Sequence, residues 1–238
     1  MREHTLQSQK WPLTMHVTLL LVVAGLTQAI SLAWPFDGNF KGVPQGWLQY
    51  VSLLVLAGYL DRSQTPKEAF AKGWMFSFAW LLGSTWWLFI SMNSYGGLSA
   101  PVAALAVALL AAGLALFYGA ACAVFFAVCK ARVNVLPRAC AFAAVWVLAE
   151  MLRGTLWTGF PWGAVGYAHV DSVLQHWAPW VGVYGLCALS AFFAMAVAAQ
   201  RRGNGVASPK ALVGPCLFVI VLGFTWITSP SRSATLAD

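Results

Sequence analysis

Charge is what this sequence has least of. Only 9% of its 238 residues are Asp, Glu, Lys or Arg, against about 25% in a soluble domain. So little charge cannot cover a surface facing water, while hydrophobic residues reach 60% and mean hydropathy is +0.72. Acids are scarcest: Glu3, Glu68 and Glu150, with three aspartates before the terminal Asp238. Five cysteines (Cys122, Cys129, Cys140, Cys187, Cys216) form no CxxC pair, have no histidine at ligand spacing and lie in or beside apolar runs. They read as packing residues, and a metal site or disulfide has no support. The net charge of +7 comes in short clusters between apolar runs. That pattern points to a membrane and away from nucleic acid.

Alternation of polar and apolar residues, the mark of a membrane barrel, is missing too. Continuous apolar runs stand in its place. A bilayer core of about 30 Å takes roughly 20 apolar residues per helix. Seven runs fit, near 13–33, 46–60, 73–92, 101–129, 139–156, 176–199 and 211–227. The second is short and is expected to extend back through Pro44. The first resembles a signal peptide, but the spans that follow favour an uncleaved helix. The expected fold is an all-α polytopic membrane protein, a bundle of about seven transmembrane helices over 1–227. A polar tail, 228–238, follows.

Lys and Arg set the orientation. With the N-terminus inside, eleven of the fourteen fall in inner segments, only Lys41 and Arg232 in outer ones, and Arg153 near the outer end of the fifth run. A cytoplasmic N-terminus and an outer C-terminus are expected. The three outer connections, WPFDGNFKGVPQGW, WWLFISMNSYGGLSAP and TLWTGFPWGAVGYAH, are rich in glycine and aromatic rings suited to headgroup depth. Trp86 and Trp87 read first as interfacial anchors. Gly159, Pro161 and Gly163 are expected to end the fifth helix.

Glu150 and Arg153 stand three apart on one helix face. The plain reading is an ion pair; the alternative is Arg153 on a lipid phosphate, which a guanidinium grips bidentately. His169, Asp171 and His176 share an outer loop and read as solvated residues, since their spacing specifies neither a base nor a metal site. No outer segment holds a set of acid, base and nucleophile.

The segments GWMFSFAWLLGSTWWLFISMNSYGGLSAP, WVLAEMLRGTLWTGFPWGAVGY and APWVGVYGL resemble, in order and spacing, the membrane region of bacterial apolipoprotein N-acyltransferases. The element E-x-L-R-G…TGFPW…GY is the most specific part. The resemblance implies an acyltransferase of the inner membrane that completes lipoprotein maturation, and with it a periplasmic place for the outer C-terminus. Such enzymes move an acyl chain from a phospholipid, chiefly phosphatidylethanolamine, to the α-amino group of a diacylglyceryl-cysteine on an apolipoprotein. It implies a Glu-Lys-Cys triad in a nitrilase-like domain after the seventh helix, and neither metal nor other cofactor. That domain would begin where this sequence ends, so no catalytic residue carries over and the 238 residues alone are expected to be inactive. The positions that do match are Trp87, Gly96, Gly97, Glu150, Arg153, Gly159, Phe160, Pro161, Trp162 and Tyr167. By resemblance they shape a mouth through which two lipid substrates reach the catalytic domain. The alternative is a non-enzymatic lipid- or lipoprotein-binding module that partners a separate catalytic chain. A transporter would need more buried charge than Glu150 and Arg153.

Overall fold

The computed structural model describes residues 15–129 and 134–203, with side chains as far as 200. All regular structure among the described residues is helical: α1 (Met15–Leu32), α2 (Gly46–Leu60), α3 (Pro66–Ser84), α4 (Trp86–Ile90) running into a π-helical turn (Ser91–Tyr95), α5 (Ala100–Val128), α6 (Val135–Thr155) and α7 (Ala178–Gly203). Two 3-10 turns, Val165–His169 and Val173–Trp177, join α6 to α7.

Six long helices close into a ring. α1 packs on α3, α3 on α5, α5 on α6, α6 on α7, α7 on α2, and α2 back on α1. The interior is apolar and aromatic, with Phe76, Trp80, Tyr118, Phe142 and Trp146 all fully buried. Trp80, Tyr118 and Trp146 pack on one another at 5.0–6.4 Å between ring centres, the two indoles stacked and the phenol edge-on to Trp80.

In a bilayer, helices gain little from hiding apolar surface from one another, so close backbone approach by small residues drives their packing. α5 shows the pattern: Ala103, Val107, Ala111, Ala115 and Gly119 recur every fourth residue and all are buried. Against this seam lies Gly73 of α3, where an added Cβ would overlap the Cys122 side chain. Gly73→Val is therefore expected to destabilise the ring by about 1–3 kcal/mol through overpacking. Gly113→Ala, on the same α5 but facing open space, is expected to be neutral or slightly stabilising. Melting temperatures of the two variants in detergent decide the point, and equal values would place the α3–α5 contact elsewhere.

Among the described residues four helices, Met15–Leu32, Ala100–Val128, Val135–Thr155 and Val173–Gln200, are long and apolar enough to cross a membrane. The bent pair of α3 and Trp86–Tyr95 makes a fifth candidate. α2 is apolar but has only 15 residues, and it does not extend back through Pro44. Gln45 ends it, because residues before it are tied into a turn by Trp34 N–H to the Val43 carbonyl and Gln45 N–H to the Ser31 carbonyl. The seventh expected run, 211–227, lies outside the described residues.

α3 begins seven residues before the apolar run at 73. Thr65 caps it, accepting from the Glu68 N–H at 3.1 Å, while the Glu68 carboxylate accepts from the Gln64 N–H at 2.8 Å. The signature T-P-K-E announces this start: capping threonine, proline in the first turn, glutamate at the third helical position. The early start carries Lys72 into the helix, where it is buried and bonded to Glu68, the Tyr59 carbonyl and Ser63 Oγ. Beside it Asp61 pairs with Arg138 at 2.5 Å. Asp61 and Lys72 are thus buried charges as well, placed just outside the apolar runs in which the sequence shows only Glu150 and Arg153. This second group latches the α2–α3 connection to the start of α6.

The three aromatic, glycine-rich connections gather at the opposite end of the ring. Gly163 packs beside Leu32 and Ser84, the ends of α1 and α3. The 165–169 turn rests on α7, α1 and α2 and closes that end.

A candidate lipid-facing rim

The rim is built on the last turns of α6. Leu156 leaves the helix in an extended conformation, and Trp157, Gly159 and Gly163 follow with φ of 55°, 69° and 71°. Gly159 is required there: its φ is left-handed, and a Cβ would strike the Gly154 backbone. The loop turns back on the helix that produced it, and the Phe160 N–H reaches the Arg153 carbonyl at 2.7 Å.

Arg153 holds the fold-back from within. Its Nε donates to Tyr118 Oη at 2.8 Å, and Nη1 donates to the carbonyls of Phe160 at 2.5 Å and Trp162 at 2.7 Å. Nη2 donates to Glu150 Oε2 at 2.8 Å. The guanidinium also lies over the Trp80 ring, 5.9 Å from its centre. A guanidinium presents its donors in a rigid planar fork, so this side chain fixes two loop carbonyls relative to α5 and α6 together.

Both Arg153 and Glu150 have side chains with no exposed surface. The ion pair expected from their spacing forms, and four of the five N–H donors of Arg153 are given to protein acceptors. What the rim presents outward is aromatic. Trp162, 58% exposed, stands over Trp87, 40% exposed, with ring centres 6.4 Å apart, and Phe160 lies 5.7 Å from Trp162. Arg153 thereby sets where Trp162 sits against Trp87.

The structure therefore brings Glu150, Arg153, Phe160, Trp162 and Trp87 into one cluster, with exposed Pro161 in the same loop. Tyr167 is exposed on the 3-10 turn. Gly96 and Gly97 form the turn after the π-helical residues, where Gly97 has a φ of 71° and the Asn93 amide donates to the Leu98 carbonyl at 2.7 Å. These three stand apart from the hydrogen bonds around Arg153.

His169 differs from expectation. It is fully buried, whereas Asp171 is exposed and His176 half-buried. The turn at 165–169 points the imidazole inward, between α2 and α7. Nε2 meets Gln49 Oε1 and, at 2.8 Å, Ser190 Oγ; Nδ1 meets Ser172 Oγ at 2.9 Å; Tyr50 packs on the ring at 5.1 Å. The Gln49 amide nitrogen is spent on the Val165 carbonyl at 2.8 Å and the Ser190 hydroxyl donates to the Leu186 carbonyl at 2.9 Å. Gln49 Oε1 and Ser190 Oγ are therefore acceptors, and the neutral ring carries its proton on Nε2. Burial pushes His169 down from 6.5 to about 4. Gln49, Ser172 and Ser190 were not singled out in the sequence. A glutamine in the first turn of the apolar run 46–60 was the available signal. A cleft of about 380 Å³ opens beside this network, between Gly46, Trp47 and Tyr50 of α2 and residues 171–174. Among the described residues no group of three or more His, Cys, Asp or Glu side chains is placed to hold a metal ion.

Comparison with known proteins agrees with the resemblance noted in the sequence. The family model described as apolipoprotein N-acyltransferase N-terminal domain matches residues 29–196. The chain is 48% identical to the apolipoprotein N-acyltransferase of Verminephrobacter eiseniae (strain EF01-2) over 190 residues, which are 77% of this chain and 34% of that protein. It is 38% identical to the enzyme of that name from Bordetella bronchiseptica (strain ATCC BAA-588 / NCTC 13252 / RB50) over 220 residues, 87% of this chain and 39% of the relative. For Ralstonia nicotianae (strain ATCC BAA-1114 / GMI1000) the figures are 42% over 159 residues, 66% and 30%. The chain thus spans about a third of the length of the curated relatives it matches.

Proposed function

The chain belongs to the apolipoprotein N-acyltransferase family, and on that premise we propose that its helical ring is the membrane portion of such an enzyme, with the aromatic rim as the place where lipid substrates are received. The observation that carries this reading is the way buried Arg153 holds Trp162 beside Trp87 at one end of an apolar bundle. Exposed indole rings and glycine turns suit the boundary between acyl chains and headgroups. Trp87, Phe160, Pro161, Trp162, Tyr167, Gly96 and Gly97 form the receiving surface, and Glu150 and Arg153 position it from behind.

The donor is a phospholipid, phosphatidylethanolamine by family, and the acceptor is the diacylglyceryl-cysteine of an apolipoprotein. The bundle sits in the bacterial inner membrane with the N-terminus cytoplasmic, which puts the rim on the periplasmic side. The bond chemistry belongs to residues beyond the described ones. Of the described cysteines, Cys122, Cys129 and Cys187 are buried within the bundle and Cys140 is exposed on α6, so none of these four thiols lies in the rim.

Two assays test the proposal. These 238 residues, reconstituted with phospholipid and a diacylglyceryl-lipopeptide, are expected to yield no triacylated product, and turnover there would overturn the division of labour. In the complete enzyme, Trp162→Ala is expected to slow transfer while insertion is unchanged. The loss of one aromatic contact is worth about 0.5–1.5 kcal/mol, or roughly two- to tenfold in rate. Full activity of both Trp162→Ala and Trp87→Ala would reduce the rim to a membrane anchor.

A further inference from the structure

α3 does not end where its helical residues run out. It has 19 residues, which reach about 28 Å, close to the roughly 30 Å of hydrocarbon in a bilayer. At that depth the chain bends by 51° and continues as Trp86–Tyr95. The bend has a local cause: Ser84 Oγ and Thr85 Oγ1 bond back to the carbonyls of Trp80 at 2.9 Å and Leu81 at 2.8 Å. Hydroxyls competing for those carbonyls loosen the helical ladder on one side.

The bent-over segment has no buried residue in either its α-helical or its π-helical part. Nor does it contain a single charge. Its outward face carries Trp86, Trp87, Ile90, Ser91, Ser94 and Tyr95, all exposed, while Leu88, Phe89 and Met92 are half-buried. Trp86 is 61% exposed and Tyr95 86%. The segment packs beside the first turns of α5, where Val102 and Leu105 are themselves exposed. Its face thus continues the apolar surface that the bundle turns to lipid. Indole and phenol rings with serines between them match neither hydrocarbon nor bulk water, but the layer between. Backbone groups are satisfied internally, as in the bond from the Gly96 N–H to the Ser91 carbonyl at 2.9 Å.

We propose that Trp86–Tyr95 is an interfacial helix docked by its outward face on the lipid headgroup layer at this end of the ring. Through Trp87 against Trp162 it holds the rim loop at that depth. With no charge on the segment, docking depends on buried apolar area and not on anionic lipid. The inference concerns the membrane surface as a partner and stands whether or not the rim receives substrate.

Depth-dependent quenching tests it. The full chain with Ser94→Cys, carrying a nitrobenzoxadiazole label, is placed in phosphatidylcholine vesicles doped with lipids bearing a nitroxide at the headgroup, at the top of the acyl chain or near its end. Leu109→Cys, on an exposed site along α5, serves as the hydrocarbon reference, and the parent chain taken through labelling is the blank for native thiols. Because an interfacial helix sits about 5–10 Å into the headgroup boundary, the Ser94 label should be quenched at least about twofold more by the two shallow nitroxides than by the deep one. The Leu109 label should show the reverse order. Ile90→Cys reads the same face should Ser94→Cys fail to insert. Strongest quenching from the chain end would put the segment in the hydrocarbon. Quenching by aqueous iodide alone would put it in water, and no quenching by either would mean that polypeptide covers it. Each of these three results overturns the proposal.

Discussion

Arg153→Ala is expected to be the most damaging single substitution in the described bundle. It leaves the Glu150 carboxylate, with no exposed surface, without its partner, and removing one member of a buried pair costs about 3–5 kcal/mol. It also strips the donor from the carbonyls of Phe160 and Trp162. For a chain of this size 1 kcal/mol moves the melting temperature by about 2–4 °C, so a fall of roughly 10 °C is expected. The double variant Glu150→Leu/Arg153→Met should recover most of the melting temperature, since apolar side chains of similar volume often replace a buried pair at little cost. It should not recover the rim, whose two carbonyls still lack a donor. Thermal unfolding in detergent, with iodide quenching of tryptophan as the reading of the rim, separates the two effects. A melting temperature unchanged in Arg153→Ala would show that the guanidinium is not what holds the loop.

Acid is expected to weaken the protein through His169. In the folded protein burial holds this imidazole neutral down to about pH 4, against an ordinary value of 6.5. Between those values the unfolded chain binds a proton that the folded one refuses. The stability from the neutral, bonded ring is therefore complete above pH 6.5 and is lost as pH falls toward 4. The full difference is of order 3 kcal/mol, with about 2 kcal/mol of it gone by pH 5. His169→Gln is expected to melt lower than the parent at pH 7.5, because Gln49, Ser172 and Ser190 lose a shared partner. It should also show a much flatter fall between pH 7.5 and 5. If the parent and His169→Gln lose stability in parallel, the acid sensitivity resides in another group.

These expectations rest on different mixtures of sequence and structure. The pairing of Glu150 with Arg153 is legible from a spacing of three on a helix. The further partners of Arg153 are not, because Tyr118 lies 35 residues away and meets it only where α5 packs on α6. His169 looks solvated in a loop with Asp171 and His176, and periodicity offers no means of telling which of the three turns inward. Its acceptor Gln49 is 120 residues distant. The early start of α3 is legible in T-P-K-E, yet apolar counting alone passes over it and leaves Lys72 in a loop.

The sequence by itself determined the class of this protein. Scarce charge and long apolar runs admit only helices in lipid, because backbone groups in hydrocarbon must bond within their own segment. It also determined where most of the described helices lie to within about a turn, α3 excepted, and which connections carry glycine and aromatic rings. Those properties are local, written in composition and in residues three or four apart. Only the tertiary structure decided that the ring closes through α2 and α7, that α3 bends at Ser84 and Thr85, and that a buried arginine supports the rim. Each of these depends on side chains far apart in sequence meeting across helix faces, where small residues let backbones approach and polar groups without water must find partners in the protein.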